Sequence, residues 1–286
     1  MKLWAISDLH LGYDVNKEAV AALPPYPEDW LILAGDTGDC LEHLQWALDT
    51  LRPRFRQMIW VPGNHDLWCV DSSNGQPRGV DRYETMVAMC RRAGVLTPED
   101  PYAIFHDGTK DLVLAPLFLL YDYSFAPDGR SPEEAVLWAL ESGIVCADER
   151  YLHADPFNSR ADWCRARCDD AERRLIEVEK LGLPTVLINH FPLRRDLAVL
   201  PRVPRFLVWC GTQVTENWHV RFRAEVVVSG HLHIRTTRWR DNVRCEEVSL
   251  GYPRQWEPDR GIVPYLRQIL PAPERYPFAR EIPSLL

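Results

Sequence analysis

Five short motifs carry side chains that could together bind metal ions. They are Asp8-Leu9-His10, Gly35-Asp36, Gly63-Asn64-His65-Asp66, Asn189-His190 and Gly230-His231-Leu232-His233. Carboxylate and amide oxygens are combined here with several imidazoles, and that mixture suits Mn, Fe, Zn or Ni better than an ion that binds oxygen alone. Burying so many polar groups without partners would be costly, whereas bound cations would compensate them. The motifs therefore predict a metal centre, provided that the fold brings them together.

Each motif directly follows, or ends, a stretch that is predicted to be a β-strand. The strand candidates are continuous apolar runs, as in sheets covered on both faces, at 3–7, 30–34, 58–61, 112–115, 185–189 and 225–228, with a hairpin through 238–248. In open α/β sheets the carboxyl ends of the strands line the crevice that binds ligands. The positions of the motifs therefore favour one shared site.

Apolar residues at helical spacing predict helices between these strands. One row extends from Leu41 to Leu51, with Asp39 and Glu42 as a candidate capping box at its start. Further helices are predicted around 83–90, from the Ser-Pro-Glu-Glu sequence at 131–134, and over 162–181. The alternation of strands and helices predicts a layered α/β fold.

One stretch breaks the alternation. Residues 118–158 carry a helix of their own with irregular flanks, so we predict a single domain over residues 1–286 with an insertion or cap at 118–158. No apolar run reaches the roughly 18 residues of a membrane helix, and the first residues lack the features of a signal peptide. A cytoplasmic protein without membrane association is expected.

The composition is that of a globular protein with an acidic balance. Apolar residues make up 46% and charged residues 26%, which excludes disorder of the whole chain. The formal net charge is −8, which disfavours non-specific binding of nucleic acid. Of the 33 basic residues 29 are arginines, whose planar guanidinium groups fit phosphate.

As a set and in this order, the five motifs resemble those of the calcineurin-like metallophosphoesterase superfamily. The resemblance spans residues 3–233. It implies an α+β sandwich of four layers, in which two mixed β-sheets are flanked by helices. It also implies a two-metal centre at the strand ends.

The resemblance assigns a role to each motif residue. It implies one metal held by Asp8, His10, Asp36 and His233, and a second held by Asp36, Asn64, His190 and His231. Mn²⁺ is the expected ion, with Fe, Zn or Ni as alternatives. A water bridging two divalent ions would lose a proton near neutral pH and attack the phosphorus. His65, which is not a ligand, would protonate the leaving oxygen.

Two interpretations of Asp39 stay open at this point. At the matching position of related phosphatases an aspartate orients the catalytic histidine, but Asp39 could equally cap the following helix. Asp66 is a weaker candidate for orienting His65. Protein serine/threonine phosphatases place an arginine directly after the orienting aspartate, and Cys40 stands there in this chain. That difference argues against this branch of the family.

The predicted activity is hydrolysis of a phosphomonoester or phosphodiester. A small phosphorylated molecule or nucleotide is the preferred substrate, and a monomer or dimer is expected. A nuclease is the first alternative, and it would need a basic groove, for which the arginine-rich stretches 194–205 and 235–244 are candidates. A non-catalytic metal-binding scaffold is the second alternative. It is disfavoured because the implied ligands and His65 are all present.

Overall fold

Ten strands in the described part of the chain form two β-sheets. The computed structural model describes residues 1–70, 75–127 and 129–276, so the end of the predicted domain, 277–286, lies outside the described residues. The strands are β1 Leu3–Ile6, β2 Tyr26–Leu33, β3 Phe55–Trp60, β4 Ala103–His106, β5 Asp111–Pro116, β6 Thr185–Ile188, β7 Ala224–Ser229, β8 Thr237–Arg240, β9 Val243–Glu247 and β10 Arg267–Leu270.

Both sheets are mixed. The first has the order β10-β1-β2-β3, in which β1, β2 and β3 are parallel and β10 is antiparallel. The second has the order β4-β5-β6-β7-β9-β8, with a parallel centre from β5 to β9 and antiparallel strands at both edges. The parallel strands of each sheet therefore end together, and that edge is where the motifs begin.

The two sheets pack face to face through apolar side chains. Alternate residues such as Leu3 and Ala5 of β1 form one buried cluster with Val186 and Ile188 of β6. A second, larger buried cluster lies between the sheets and the helices. Because strands buried on both faces need apolar residues at every position, the strands appear in the sequence as continuous apolar runs.

Seven helices accompany the strands in the described residues. They are α1 Asp14–Ala21, α2 Leu41–Leu51, α3 Gly79–Arg92, α4 Pro132–Leu140, α5 Asp148–Tyr151, α6 Arg160–Glu179 and α7 Trp218–Arg221. A capping box is present at the start of α4: Ser131 Oγ accepts from the Glu134 amide, and the Glu134 carboxylate accepts from the Ser131 amide. Such a box satisfies two of the free donors at a helix start.

The predicted fold class, two mixed sheets flanked by helices, is confirmed. The capping box predicted for α2 is wrong, because Cys40 is the N-cap residue and makes no side-chain cap. The carboxylate of Asp39 is bonded elsewhere. Strands β4 and β10 and helix α1 were not among the predicted elements.

Residues 118–158 lie between β5 and α6 and contain α4 and α5. Their description as an insertion in a single domain stays a prediction. Over the stretches that the structure describes, no helix is both long enough and apolar enough to cross a membrane.

Candidate active site

The predicted metal ligands lie in the loops that leave five neighbouring strands. Four of them follow β1, β2 and β3 of the first sheet, and three follow β6 and β7 of the second. From the first sheet come Asp8, His10, Asp36 and Asn64, and from the second come His190, His231 and His233. All seven are buried or nearly so. The site therefore lies where the ends of both sheets meet.

Sharp turns aim these side chains at one place. The backbone φ angle is positive at five of the seven, at 53° for Asp8, 44° for His10, 52° for Asp36, 70° for His231 and 53° for His233. This left-handed conformation costs residues with a Cβ atom on the order of 1–3 kcal/mol each, and it persists only where the surrounding structure enforces it. Its concentration at the motifs is typical of a functional site.

Close backbone approach explains the glycine of the third motif. A Cβ atom on Gly63 would lie closer than 3.0 Å to both Oδ1 and the amide nitrogen of Asp36. The loop after β3 can therefore reach the loop after β2 only with glycine at this position.

Donor atoms converge on a first position. His233 Nε2 lies 3.0 Å from Asp8 Oδ1 and 3.2 Å from His10 Nε2. Metal–ligand bonds of about 2.1 Å place neighbouring ligand atoms about 3 Å apart. The spacing of these three donors therefore fits a divalent cation.

A second group of donors converges beside the first. His190 Nε2 lies 3.4 Å from Asp36 Oδ2 and 3.2 Å from Asn64 Oδ1, which in turn lies 3.2 Å from His231 Nδ1. Asp36 also belongs to a cluster with His10, so its carboxylate lies between the two positions. The donor set fits two cations that share Asp36.

Hydrogen bonds on the far side of two rings select the tautomer that can bind metal. His190 Nδ1–H donates to the Ala34 carbonyl at 2.9 Å, and His233 Nδ1–H donates to Gln255 Oε1 at 2.8 Å. Gln255 Oε1 also accepts from the Tyr252 amide, so the atom facing His233 is the acceptor. In both histidines the lone pair of Nε2 is left to face the other candidate metal-ligand atoms.

His65 lies beside the two positions and pairs with Asp39. The His65 Nδ1 atom is 2.7 Å from Asp39 Oδ1, and its Nε2 atom is 4.0 Å from Asp36 Oδ2. The Trp68 ring stacks on the imidazole at 3.7 Å. Burial opposes the charged form, but Asp36 and the bond to Asp39 raise the pKa of His65 to about 9. The neighbouring carboxylates thus favour the protonated imidazole when no cation is bound.

The carboxylates and imidazoles of the cluster shift one another's pKa values. Burial opposes ionisation of Asp36, yet His190 and His65 hold its pKa below the usual range. Burial likewise opposes the charge on His190, while Asp36 raises the pKa of this ring to about 10. For His231 burial and the neighbouring His190 lower the pKa to about 3. Protons and metal cations would therefore compete for the same buried carboxylate oxygens and imidazole nitrogens.

Comparison with known proteins shows the family of this chain. The calcineurin-like phosphoesterase family model matches residues 1–235. The chain belongs to that family. It is 46% identical over 277 residues to the acyl-carrier-protein phosphodiesterase PptH of Mycobacterium tuberculosis, a match covering 96% of this chain and 85% of the relative.

A solved structure is also similar to this chain over nearly its whole length. The crystal structure of phosphopantetheinyl hydrolase (PptH) from Mycobacterium tuberculosis matches with a TM-score of 0.90 and 45% identity, covering 96% of this chain and 98% of that one. The resemblance seen in the five motifs is thus confirmed. The calcineurin-like phosphoesterase described here is a hydrolase of phosphoester bonds.

Three further residues support the centre of this calcineurin-like phosphoesterase and were not predicted. Asp148 Oδ1, from the 118–158 stretch, accepts from Asn64 Nδ2 at 2.9 Å and from Trp68 Nε1 at 2.7 Å. Gln255 orients His233, and the Tyr252 ring stacks on His10 at 4.5 Å. Asp148 begins a short helix, where acidic residues are ordinary, and the other two lie beyond the last motif. No local pattern marks them.

Asp66 has a different place from the one considered for it. Its carboxylate accepts from the amides of Thr37 at 3.0 Å and Gly63 at 2.9 Å. It therefore ties together the loops after β2 and β3, whereas Asp39 makes the contact with His65. Burial and the nearby Asp36 raise the pKa of Asp66 to about 7.

A cavity of about 400 Å³ opens onto the centre of this phosphoesterase. Asp36, Asn64, His65, His231 and His233 contribute to its lining. A larger groove of about 860 Å³ between α3 and α6 shares no lining residue with it in the described chain, and contains none of the converging donors. The converging ligand atoms, rather than cavity size, therefore make the smaller cavity the candidate substrate-binding site.

Proposed function

We propose that this calcineurin-like phosphoesterase is a phosphodiesterase that removes phosphopantetheinyl groups from an acyl carrier protein. The observation that carries the proposal is the 46% identity to PptH, which extends over 96% of the chain. A phosphopantetheinyl group is attached to its carrier through a phosphodiester, so this substrate contains the bond that the family hydrolyses. A phosphopantetheinyl group on a carrier protein is a more specific substrate than the small phosphorylated molecule or nucleotide that the sequence alone favoured.

The proposed cofactors are two divalent ions, with Mn²⁺ favoured over Fe, Zn or Ni. Asp8, His10, Asp36 and His233 would hold one, and Asp36 would join Asn64, His190 and His231 around the other. When bound, such ions neutralise charge on the phosphoryl oxygens and lower the pKa of water. A cytoplasmic location and a monomeric or dimeric state belong to this proposal as well.

The protein's own groups would complete the reaction. Asp39 keeps the proton of His65 on Nδ1, and a second proton on Nε2 would pass to the leaving ester oxygen as the P–O bond breaks. Arg254 lines the same cavity and would attract the phosphodiester anion.

The test uses metal-depleted protein with and without added Mn²⁺. Phosphopantetheinyl carrier protein is the substrate, release of phosphopantetheine is followed by mass spectrometry, and a chromogenic monoester and diester are compared in parallel. We expect Mn²⁺ to restore turnover, and Asp36→Asn to lower kcat at least 10³-fold, on the order of magnitude expected when charge stabilisation is lost. Asp49→Asn, an exposed substitution on α2, is the matched control.

Near-full activity of Asp36→Asn would rule out two metals that share this residue. Turnover of the chromogenic diester without release of phosphopantetheine would reject the proposed substrate and keep the phosphoesterase.

A further inference from the structure

Two groups of side chains line the cavity beside the candidate metal ligands. One is polar and contains Tyr252, Arg254 and Gln255. The other is apolar and is formed by Val145, Cys146, Leu200, Val203, Phe206 and Leu232. We call these six residues the apolar wall. They come from three separate parts of the chain: the stretch before α5, the region 200–206 and the last motif.

The apolar wall begins directly beside the metal ligands. The Phe206 ring is stacked over His231, with ring centroids 5.8 Å apart and planes 26° apart. Leu232 lies between His231 and His233 in the chain. A substrate whose phosphate sits at the ligands would thus meet apolar surface within its first few carbon atoms.

The outer part of the wall is exposed although it is apolar. Val145 is 70% exposed and Val203 is 40% exposed. Leaving such side chains uncovered at the mouth of a cavity is unfavourable in water and typical of a binding surface.

We propose that the apolar wall is the binding subsite for the pantetheine arm of the substrate. This inference rests on the proposed function. The arm carries a quaternary carbon with two methyl groups, separated from the phosphate oxygen by a single CH₂, and this bulky apolar unit would pack against Phe206 and Val203. Its amide groups lie farther along the arm from the phosphate, and the exposed residues Val145 and Val203 give that part of the arm access to solvent.

A nucleoside is a poorer occupant of the same wall. Proteins that select a base use hydrogen bonds to its edges in addition to stacking. The six residues of the apolar wall offer no side-chain oxygen or nitrogen. The wall can therefore favour an apolar chain without recognising a base.

The test measures how much the arm contributes to binding. Hydrolysis of bis(4-nitrophenyl) phosphate by the Mn²⁺-loaded enzyme reports on competition by inorganic phosphate, AMP and 4′-phosphopantetheine. We expect the inhibition constant of 4′-phosphopantetheine to be at least 10-fold lower than those of phosphate and AMP. Val203→Asn and Val145→Asn should each raise the inhibition constant of 4′-phosphopantetheine at least 5-fold. They should leave the inhibition constant of phosphate within 2-fold of the wild-type value.

Asparagine is used because it adds no charge near the phosphate, and both positions are exposed enough to keep the fold. Val214→Asn is the matched control, since Val214 is 48% exposed and lies outside the cavity. Equal inhibition by phosphate and 4′-phosphopantetheine, or tighter inhibition by AMP, would overturn the subsite.

Hydrolysis of phosphopantetheinyl carrier protein is measured separately with the same preparation. Hydrolysis combined with equal inhibition constants would overturn the subsite alone. Absence of that hydrolysis would overturn the proposed substrate, and the subsite with it.

Discussion

His65 is fixed by a carboxylate at one ring nitrogen and by an indole on one face. Asp39 accepts from Nδ1, and the Trp68 ring stacks on the imidazole. Of the two interpretations of Asp39, orientation of His65 matches this contact, while the capping of α2 does not occur. The catalytic role of the pair stays a proposal, and its electrostatics make it testable.

Replacing Asp39 by asparagine should move the pH dependence of kcat. Without the carboxylate the pKa of His65 falls, because the charge of Asp39 and its hydrogen bond to the imidazole both raise it. A general acid is active only while protonated, so the alkaline loss of activity should begin at lower pH. The shift should be about one to two pH units, because a hydrogen bond to a charged group contributes about 1.5–3 kcal/mol. Profiles of kcat against pH at equal metal loading measure it.

His65→Gln is the control for that experiment, because it removes the titrating group and should abolish this limb. An unchanged profile in Asp39→Asn would show that Asp39 does not tune His65.

Asp148 accepts hydrogen bonds from the side chains of both Asn64 and Trp68. Asp148→Leu leaves Asn64 Nδ2 and Trp68 Nε1 without their acceptor. The Asn64 amide would then be free to turn, and Mn²⁺ affinity should fall about 10–100-fold, as for other residues that orient metal ligands. Asp148→Asn keeps an oxygen acceptor and should stay within a few-fold of the wild type. Titration of Mn²⁺ followed by electron paramagnetic resonance distinguishes them; equal affinities in all three proteins would contradict the positioning role.

The loops that follow the strands carry the candidate ligands. Local sequence was sufficient to select candidate ligands that the fold brings together, because their motifs lie at the ends of continuous apolar runs, which are a clear strand signal. The contacts that were missed join distant parts of the chain. Strand β10 pairs with β1 across almost the whole sequence, and Asp148 and Gln255 reach the centre from segments without a motif. Their roles depend on tertiary contacts that no local pattern shows.

Gly63→Ala tests how closely these loops must approach. The added methyl group would overlap Asp36, including its backbone nitrogen, so one of the two loops must move. We expect loss of most Mn²⁺ binding and a lower melting temperature, measured by metal analysis and circular dichroism. Gly12→Ala is the control, because its methyl group would meet nothing closer than 3.4 Å. Full metal binding by Gly63→Ala would refute the requirement.

At the scale of the whole molecule, the candidate ligands connect the two sheets. Asp8, His10, Asp36 and Asn64 belong to the loops of one sheet, and the three remaining histidines to those of the other. Cations bound between them would add a link to the apolar contacts that already join the sheets. Metal binding and global stability should therefore be coupled.

Chelation should lower the melting temperature of the wild-type protein. At a metal concentration 100-fold above Kd each bound ion contributes about 2.7 kcal/mol, so two ions correspond to roughly 9 °C for a chain of this size. Differential scanning calorimetry with and without EDTA measures the difference. Asp36→Asn should show little response to EDTA, and an equal response in both proteins would indicate that the stabilising ions bind elsewhere.

The left-handed backbone of five candidate ligands bears on how such an enzyme could lose its activity over evolution. A ligand replaced by glycine no longer binds metal, yet glycine adopts this conformation more easily than the residue it replaces. The backbone conformation alone would thus not preserve these residues, and selection for a folded chain would act on them only through the stability that bound ions add. A descendant released from selection for hydrolysis would keep its two sheets while its ligands drifted, so inactive members with an intact fold are an expected product of this architecture.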